Sequence, residues 1–249
     1  RDGKYQLAAL AESGFSPLAQ TTQFMLTEEA HHLFVGETGI TRVVQRTVEL
    51  MQESPNEDVT ELGGIPLELI QRYFNKWHSV CLDLFGGDDS SNAATYFAAG
   101  LKGRYRESQK YDEHQALEGH YTMETPNQDG TVTTMEVPMR RAMNRVLQDA
   151  FIEDCQRALR KWNKIIEKGG FNFELTYPSD RFNRNMGPFA GMHFKPNGEF
   201  DPQLITGPES PHIPTVADKK YLLEIMTQVR APGQYANWIT PPKQGIDRQ

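Results

Sequence analysis

The stretch Thr27-Glu28-Glu29-Ala30-His31-His32 lies within an apolar run, with Phe24-Met25-Leu26 before it and Leu33-Phe34-Val35 after it. Apolar residues recur at helical spacing on both sides, which predicts a helix over residues 18–52. Side chains three positions apart share one face of a helix, so a Glu-x-x-His pair can bind one metal ion. Four-helix proteins with a carboxylate-bridged pair of iron ions use this spacing, so the stretch points to that fold class.

The spacing occurs twice in overlapping register, as Glu28/His31 and as Glu29/His32, and either pair can face the metal. Gly36 shares the face of the second pair, and this small residue favours that face because helices around a metal site approach closely. Apolar residues surround the four ionisable side chains, so we expect all four to be buried and either paired or bound to metal. The competing interpretation is a solvated polar patch on a long helix.

The break around Gly14 and Pro17 predicts a turn between two antiparallel helices. Its midpoint is near Phe15, so the position level with Glu29 on the preceding helix is residue 1, and an error of two positions is about 3 Å. A bridging carboxylate from that helix is therefore expected either at Asp2 or just upstream of the chain.

A second Glu-x-x-His helix is missing. The other match is Glu209-Ser210-Pro211-His212, where the proline disfavours a helix and predicts a loop. We expect the remaining histidines to be structural or solvated: His78, His114, His120 and His193. No His-Glu-x-x-His occurs, which excludes the common zinc peptidase motif.

Composition excludes several other classes of protein. The net charge is −7, and the sequence has no basic run interleaved with aromatic residues, so nucleic-acid binding is not indicated. Apolar stretches are shorter than a membrane span, and no secretory signal opens the chain. Cys81 and Cys155 lack metal-type spacing, so a reducing cytoplasm is the expected location.

The predicted architecture is mainly α, with small β additions in the second half. Helices are expected over residues 66–85, 91–110, 138–168 and 215–228, a β-hairpin over 122–137, and strands over 171–177 and 191–195. We expect a helical domain over residues 1–168. A β or irregular extension with one helix, over residues 169–249, is expected to pack on it.

Several segments resemble one family, the oxygenase component (component B) of benzoyl-CoA 2,3-epoxidase. The similar segments are Arg1-Asp2-Gly3-Lys4, residues 7–13, residues 24–37, Ser90-Ser91-Asn92-Ala93-Ala94-Thr95-Tyr96, Gly100-Leu101-Lys102-Gly103-Arg104, Trp238-Ile239, Pro241-Pro242 and residues 245–249. The long run around the Glu/His cluster is the most specific. The resemblance implies part of a ferritin-like bundle in a di-iron monooxygenase, with this chain matching the C-terminal half.

By the family pattern, Glu29 and His32 match iron ligands, and Glu28 and His31 are their neighbours. The other ligands of the two iron ions then lie upstream, including an aspartate just before Arg1, which counts against Asp2. The chain supplies two of about six protein ligands. We therefore expect this piece of a longer polypeptide to be inactive alone.

The resemblance also implies a reaction and a partner. An NADPH-dependent flavin and iron–sulfur reductase supplies electrons, and O2 supplies the oxygen atom that epoxidises the ring of benzoyl-CoA during aerobic benzoate breakdown. Four apolar residues are candidates for the walls of a water-free pocket, or else belong to the ordinary core: Phe24, Met25, Leu33 and Phe34. Candidate CoA contacts, by charge alone, are Arg42, Arg46, Lys102, Arg104 and Arg106.

Two alternatives remain open. A phenylacetyl-CoA epoxidase would share the kind of site but act on a different acyl group. A metal-free helical subunit, with a structural or binding role, would keep the fold without the metal. Iron content of the full-length protein separates the classes, and product analysis separates the two enzymes.

Overall fold

A computed structural model describes residues 1–104, 119–226, 231 and 234–242 of the protein. The elements, in chain order, are α1 (Asp2–Ala11), α2 (Ser16–Glu53), α3 (Leu67–Leu84), α4 (Ser91–Ala98), β1 (His120–Pro126), β2 (Val132–Pro138), α5 (Met143–Lys168) and α6 (Val216–Met226). Short 3₁₀ turns cover Met139–Arg141 and Gly207–Glu209. The prediction of a mainly α fold with small β additions is confirmed.

Most helix boundaries follow the sequence signals. The predicted break at residues 13–17 separates α1 from α2, and α2 then runs unbroken through Gly36 and Gly39 for 38 residues. The helix predicted over residues 91–110 was too long, because α4 ends at Ala98. The side chain of Ser90 accepts a hydrogen bond from the Ala93 N–H and begins this helix as an N-cap. Residues 105–110 of the prediction lie outside the described residues.

The predicted hairpin is present as the antiparallel pair β1 and β2, with Met123 opposite Met135. Its turn is closed by hydrogen bonds between Asn127 and Thr131. Gly130 adopts a φ of 82°, a left-handed conformation that glycine reaches without a Cβ clash. The turn signal in the sequence therefore predicted the ends of the hairpin to within two residues.

The described chain divides into two compact units. Unit 1 comprises Arg1–Leu33, Trp77–Cys155 and Pro178–Leu204; unit 2 comprises Phe34–Lys76, Gln156–Tyr177 and Ile205–Gln249. The two domains expected from the sequence, residues 1–168 and 169–249, stay a prediction.

The core of unit 1 contains Phe151, on α5, as a shared contact of three rings. Tyr5 meets it edge-on at a ring-centroid distance of 6.4 Å, Phe85 lies 5.5 Å away, and the His78 ring stacks on it at 6.1 Å. Burial lowers the pKa of His78 to about 3, so this imidazole is neutral. Of the two roles expected for His78, structural or solvated, the structure shows the structural one.

A buried ion-pair cluster joins α1 to α5 in unit 1. The Asp154 carboxylate lies 2.9 Å from a guanidinium nitrogen of Arg1 and 3.0 Å from the Lys4 ammonium. Burial would raise the pKa of Asp154, but the hydrogen bond from Lys4 and the charge of Arg1 outweigh it and hold this pKa at about 2.

We expect Asp154→Asn to lower the free energy of unfolding by about 2 kcal/mol at pH 7, because a carboxylate with a depressed pKa stabilises the folded state when ionised. This contribution is present above the unfolded pKa and is lost as the pH falls from about 4 to about 2. Urea unfolding at several pH values measures it. Equal stabilities of the wild type and the variant at pH 7 would contradict the prediction.

In unit 2, the core is an apolar cluster between α2, α3 and α5, made of Val44, Val48, Leu67, Ala158, Leu159, Trp162, Ile166 and Leu175. The indole N–H of Trp162 donates to the Thr41 hydroxyl at 3.1 Å, which satisfies its one polar atom.

The strand predicted over residues 171–177 is wrong, since this segment forms no ladder. Helix side chains bind its backbone instead: Asn163 donates to the Leu175 carbonyl and accepts from the Leu175 N–H, and the Gln71 side chain does the same at Thr176. The strand predicted over residues 191–195 is reduced to a single bridge between Phe194 and Phe200.

Candidate metal centre

One stripe of α2 is covered within unit 1. Thr22 is 2% exposed, and Leu26, Glu29 and Leu33 are partly buried. These positions are separated by four, three and four residues, so they form one line along the helix. Of the four ionisable residues in the cluster, Glu29 is the one that lies on this line.

Glu29 and His32 face each other across one turn of α2. The distance between Glu29 Oε2 and His32 Nδ1 is 3.4 Å. The Glu29 side chain is 20% exposed and the His32 side chain is 67% exposed, so the pair spans the border between covered and open surface. Glu28 and His31 are both exposed.

The covered side of Glu29 lies against α1. A Cβ added to Gly3 would stand 3.0 Å from Glu29 Oε1, so the carboxylate occupies the space that only glycine leaves free. The hairpin geometry placed residue 1 level with Glu29, and the contact at Gly3 confirms this prediction within its error of two residues. Sequence reasoning missed Gly3 itself, although a glycine inside a helix is a signal for close approach.

The expected burial of the whole cluster is wrong. Phe24 is 78% exposed and Met25 49%, while Phe34 and Val35 are 68% and 52% exposed. Apolar residues on every face do predict burial, but among the described residues only Thr22, Leu26, Glu29 and Leu33 are covered between positions 21 and 35 of α2. The exposed apolar side chains are therefore not pocket walls among the described residues.

A Cβ built at Gly36 meets no atom within 4 Å, so the close approach expected at this position is likewise not found among the described residues. Within the described ranges, no three His, Cys, Asp or Glu side chains form a group able to hold a metal ion. Glu29 and His32 have the donor chemistry of an iron site, yet the residues described do not fit a complete one. Asp2, half-exposed at the start of α1, does not complete the set.

The other histidines behave largely as expected from the sequence. The short 3₁₀ turn Gly207–Glu209 ends at Glu209, and no helix follows from Ser210 to His212, as the proline predicted. His193 is half-buried, with its Nδ1 lying 3.3 Å from the Leu204 carbonyl oxygen, and His120 is exposed. His114 lies outside the described residues.

The candidate CoA-binding cations differ in their surroundings. Arg42 donates to the Thr240 carbonyl, and Arg46 donates to the Asn237 carbonyl and pairs with Glu49 and Glu53, so both guanidinium groups hold the C-terminal segment of unit 2. Lys102 and Arg104 lie in unit 1 after α4. Arg106 lies outside the described residues.

Two further observations bear on the class of protein. Cys81 and Cys155 are both free thiols. No helix in the described ranges combines the length and apolar character needed to cross a membrane.

Together, these features define a mainly α-helical protein that carries a Glu-x-x-His pair where its second helix meets its first. The chain is 45% identical, over its full length, to benzoyl-CoA oxygenase component B from Aromatoleum evansii. This confirms the resemblance expected from the sequence. The chain spans 53% of that protein, about half its length. No protein-family model matches the chain.

We expect Gly3→Ala to displace the Glu29 carboxylate, because the new methyl group would stand 3.0 Å from Oε1 and the end of the glutamate side chain must shift. In the full-length protein, iron affinity is expected to fall about tenfold, as for changes next to metal ligands. Gly119→Ala is the control, since this exposed glycine lies outside α1 and α2 and its Cβ meets no atom within 4 Å. Iron titration of both variants measures the effect, and equal affinities would contradict it.

Proposed function

We propose that this chain forms part of the oxygenase component of a di-iron monooxygenase that epoxidises the aromatic ring of benzoyl-CoA. The observation that carries the proposal is the 45% identity, over the whole chain, to a protein named as a benzoyl-CoA oxygenase component. The Glu29/His32 pair supports it, because the two donor atoms lie 3.4 Å apart on one helix face.

Glu29 and His32 are the residues that would hold iron in this chain. Carboxylate and imidazole donors suit iron with open coordination positions, and iron bound in this way supplies O2 activation. The contact with Gly3 limits the positions open to the Glu29 carboxylate, and the partly buried Leu26 and Leu33 keep water from its covered side. Glu28 and His31 are proposed as neighbours of the ligands that bind no metal themselves.

The remaining ligands are proposed to come from the part of the full-length protein that this chain does not cover. The relative is about twice as long as the chain, and the α2 face around the pair is open, with Phe24 at 78% exposure. An exposed apolar face next to ionisable side chains is suited to a further helix. The full protein is thus proposed to be a ferritin-like bundle, and the isolated chain inactive.

The proposal includes a partner and a location. Oxygen activation consumes electrons, and the relative's name describes a component B, so a separate reductase that uses NADPH is the proposed source. The two free thiols favour the cytoplasm, where cysteines stay reduced.

Iron analysis and product analysis of the full-length protein test the proposal. We expect about two iron ions per protein, and epoxide formation from benzoyl-CoA in the presence of O2 and the reductase. A protein that binds no iron would instead be a metal-free helical subunit, an alternative favoured by the lack of a three-donor group in the described ranges. Faster turnover of phenylacetyl-CoA would overturn the proposed substrate but not the enzyme class.

A further inference from the structure

A line of basic residues runs along the exposed side of α5 within unit 2. Arg160, Lys164 and Lys168 follow one another at intervals of four residues, so they lie on one face of the helix over about 12 Å. All three residues are exposed. We call these three residues the basic stripe. Two further exposed cations, Arg157 and Lys161, lie beside its first residue.

The charge of the basic stripe is not paired within the described residues. None of its three members forms an ion pair with a carboxylate there, whereas the neighbouring Lys161 pairs with Glu37 of α2. Within residues 156–168, five side chains are cationic and one, Glu167, is acidic. Because the whole chain has a net charge of −7, the stripe is a local concentration of positive charge on an acidic protein.

The arrangement of the stripe does not help α5 to fold. Like charges four residues apart on a helix repel each other, and this spacing occurs twice, from Arg160 to Lys164 and from Lys164 to Lys168. The helix dipole favours a cation in the last turn, which accounts for Lys168 but not for Arg160, about two turns earlier. Since a solvated face needs no row of like charges, the pattern indicates recognition of an anionic partner.

Two classes of anionic partner do not fit the stripe. A helix that lies on a membrane needs a free apolar face, but Leu159, Trp162 and Ile166 are buried in the core of unit 2. Single-stranded nucleic acids stack their bases on exposed aromatic rings, and Trp162, the one aromatic residue of the segment, is 5% exposed. An acidic protein surface requires only charge of the opposite sign.

The proposed function supplies a protein partner of this kind. The relative is named as a component B, and a separate reductase is the proposed source of electrons. Electron-transfer partners meet through small, transient contacts. Complementary charge in such contacts speeds association more than it adds affinity. An exposed row of cations about 12 Å long is suited to this kind of contact.

We infer that the basic stripe on α5 is the docking surface for the reductase, which would present a patch of aspartate and glutamate side chains to it. This inference rests on the proposed function, which supplies the reductase. The association is expected to weaken as the salt concentration rises, because salt screens the attraction between exposed charges.

Charge reversal at the centre of the stripe tests the inference in the full-length protein. Lys164→Glu is expected to raise the KM for the reductase about tenfold and to leave kcat at saturating reductase unchanged. Lys164→Arg keeps the charge and should match the wild type. Lys219→Glu, the same change at an exposed lysine of α6, is the matched control. Epoxide yield in a single turnover after chemical reduction should be the same in all four proteins.

Lys164→Glu is expected to fold normally. The new carboxylate would lie four residues before Lys168, which is the favourable order for an ion pair on a helix. The midpoint of thermal unfolding should therefore be equal to or above that of the wild type. A weaker association in a protein of unchanged or higher stability can then be assigned to the docking surface.

Each outcome bears on one of the two proposals. A reductase KM within about twofold of the wild type for Lys164→Glu, or an equal rise for Lys219→Glu, would overturn the inference and leave the proposed function standing. Binding of RNA or anionic vesicles that depends on Lys164, with unchanged reductase affinity, would also overturn it. If the protein contains no iron but calorimetry shows reductase binding that Lys164→Glu weakens, the proposed function fails and the inference holds.

A measurement on the unaltered protein does not depend on how the variants fold. A carbodiimide joins a lysine amine to a carboxylate only where the two are in contact. Treatment of the wild type mixed with the reductase is expected to cross-link Lys164 or Lys168 to aspartate or glutamate residues of the reductase, with a lower yield at high salt. Cross-links confined to lysines outside the stripe, such as Lys219, would contradict the inference.

Discussion

Glu29→Ala and His32→Ala are each expected to remove iron from the full-length protein and to reduce turnover more than about a hundredfold. The expectation exceeds the loss seen on changing residues that only surround metal ligands, which is about 10- to 100-fold. Glu29 lies on the covered stripe of α2 with His32 at 3.4 Å, so each variant removes one of two facing donors. Iron content and epoxide yield measure the effect.

Glu28→Ala and His31→Ala are the matched controls, because they remove the same side chains one position earlier on the same helix. Both residues are exposed, and we expect these variants to keep most of their iron. If Glu28→Ala were to empty the site while Glu29→Ala kept its iron, the Glu28/His31 pair would be the ligand pair. Far-UV circular dichroism of all four proteins checks that the helix is intact.

Phe151→Ala is expected to lower the free energy of unfolding of this chain by about 3–5 kcal/mol, the usual cost of truncating a buried phenylalanine. Phe151 is 3% exposed and contacts Tyr5, His78 and Phe85, so the deletion leaves a cavity between α1, α3 and α5. Urea unfolding measures the change.

Phe24→Ala removes the same side chain from a position that is 78% exposed. In the isolated chain its effect is expected to stay within about 0.5 kcal/mol, as for other surface substitutions. In the full-length protein the cost should exceed about 1 kcal/mol, because the proposed further helix would cover this face. If Phe24→Ala lowered the free energy of unfolding equally in the two proteins, a further helix over this face would be contradicted. If Phe151→Ala lowered it only slightly, the core position of Phe151 would be contradicted.

Local signals in the sequence predicted the helices and the hairpin well. The Gly14 and Pro17 break and the Asn127–Gly130 turn depend on backbone preferences of a few residues, so they can be read without knowing the fold. Residues 171–177 alternate like a strand but are bound by the Asn163 and Gln71 side chains. Those contacts join residues far apart in sequence, and alternation cannot reveal them.

The candidate site was predictable in part. Helix geometry alone predicted that the start of α1 lies beside Glu29, because the rise per residue and the position of the turn are local quantities. The exposure of Phe24 and Phe34 was not predictable, because the burial of a side chain depends on which other helices lie beside α2. Gly3 was overlooked because a glycine near a helix start has several explanations, and only the contact with Glu29 selects one.

The amide side chains of Asn163 and Gln71 have a consequence for solubility. They bind backbone groups of Leu175 and Thr176 that, in an unpaired extended segment, would be open to another polypeptide. Exposed edges of this kind recruit further strands and start aggregation. Because its own helices bind the backbone of Leu175 and Thr176, we expect unit 2 to keep a sequence that alternates like a strand from acting as a template for self-association.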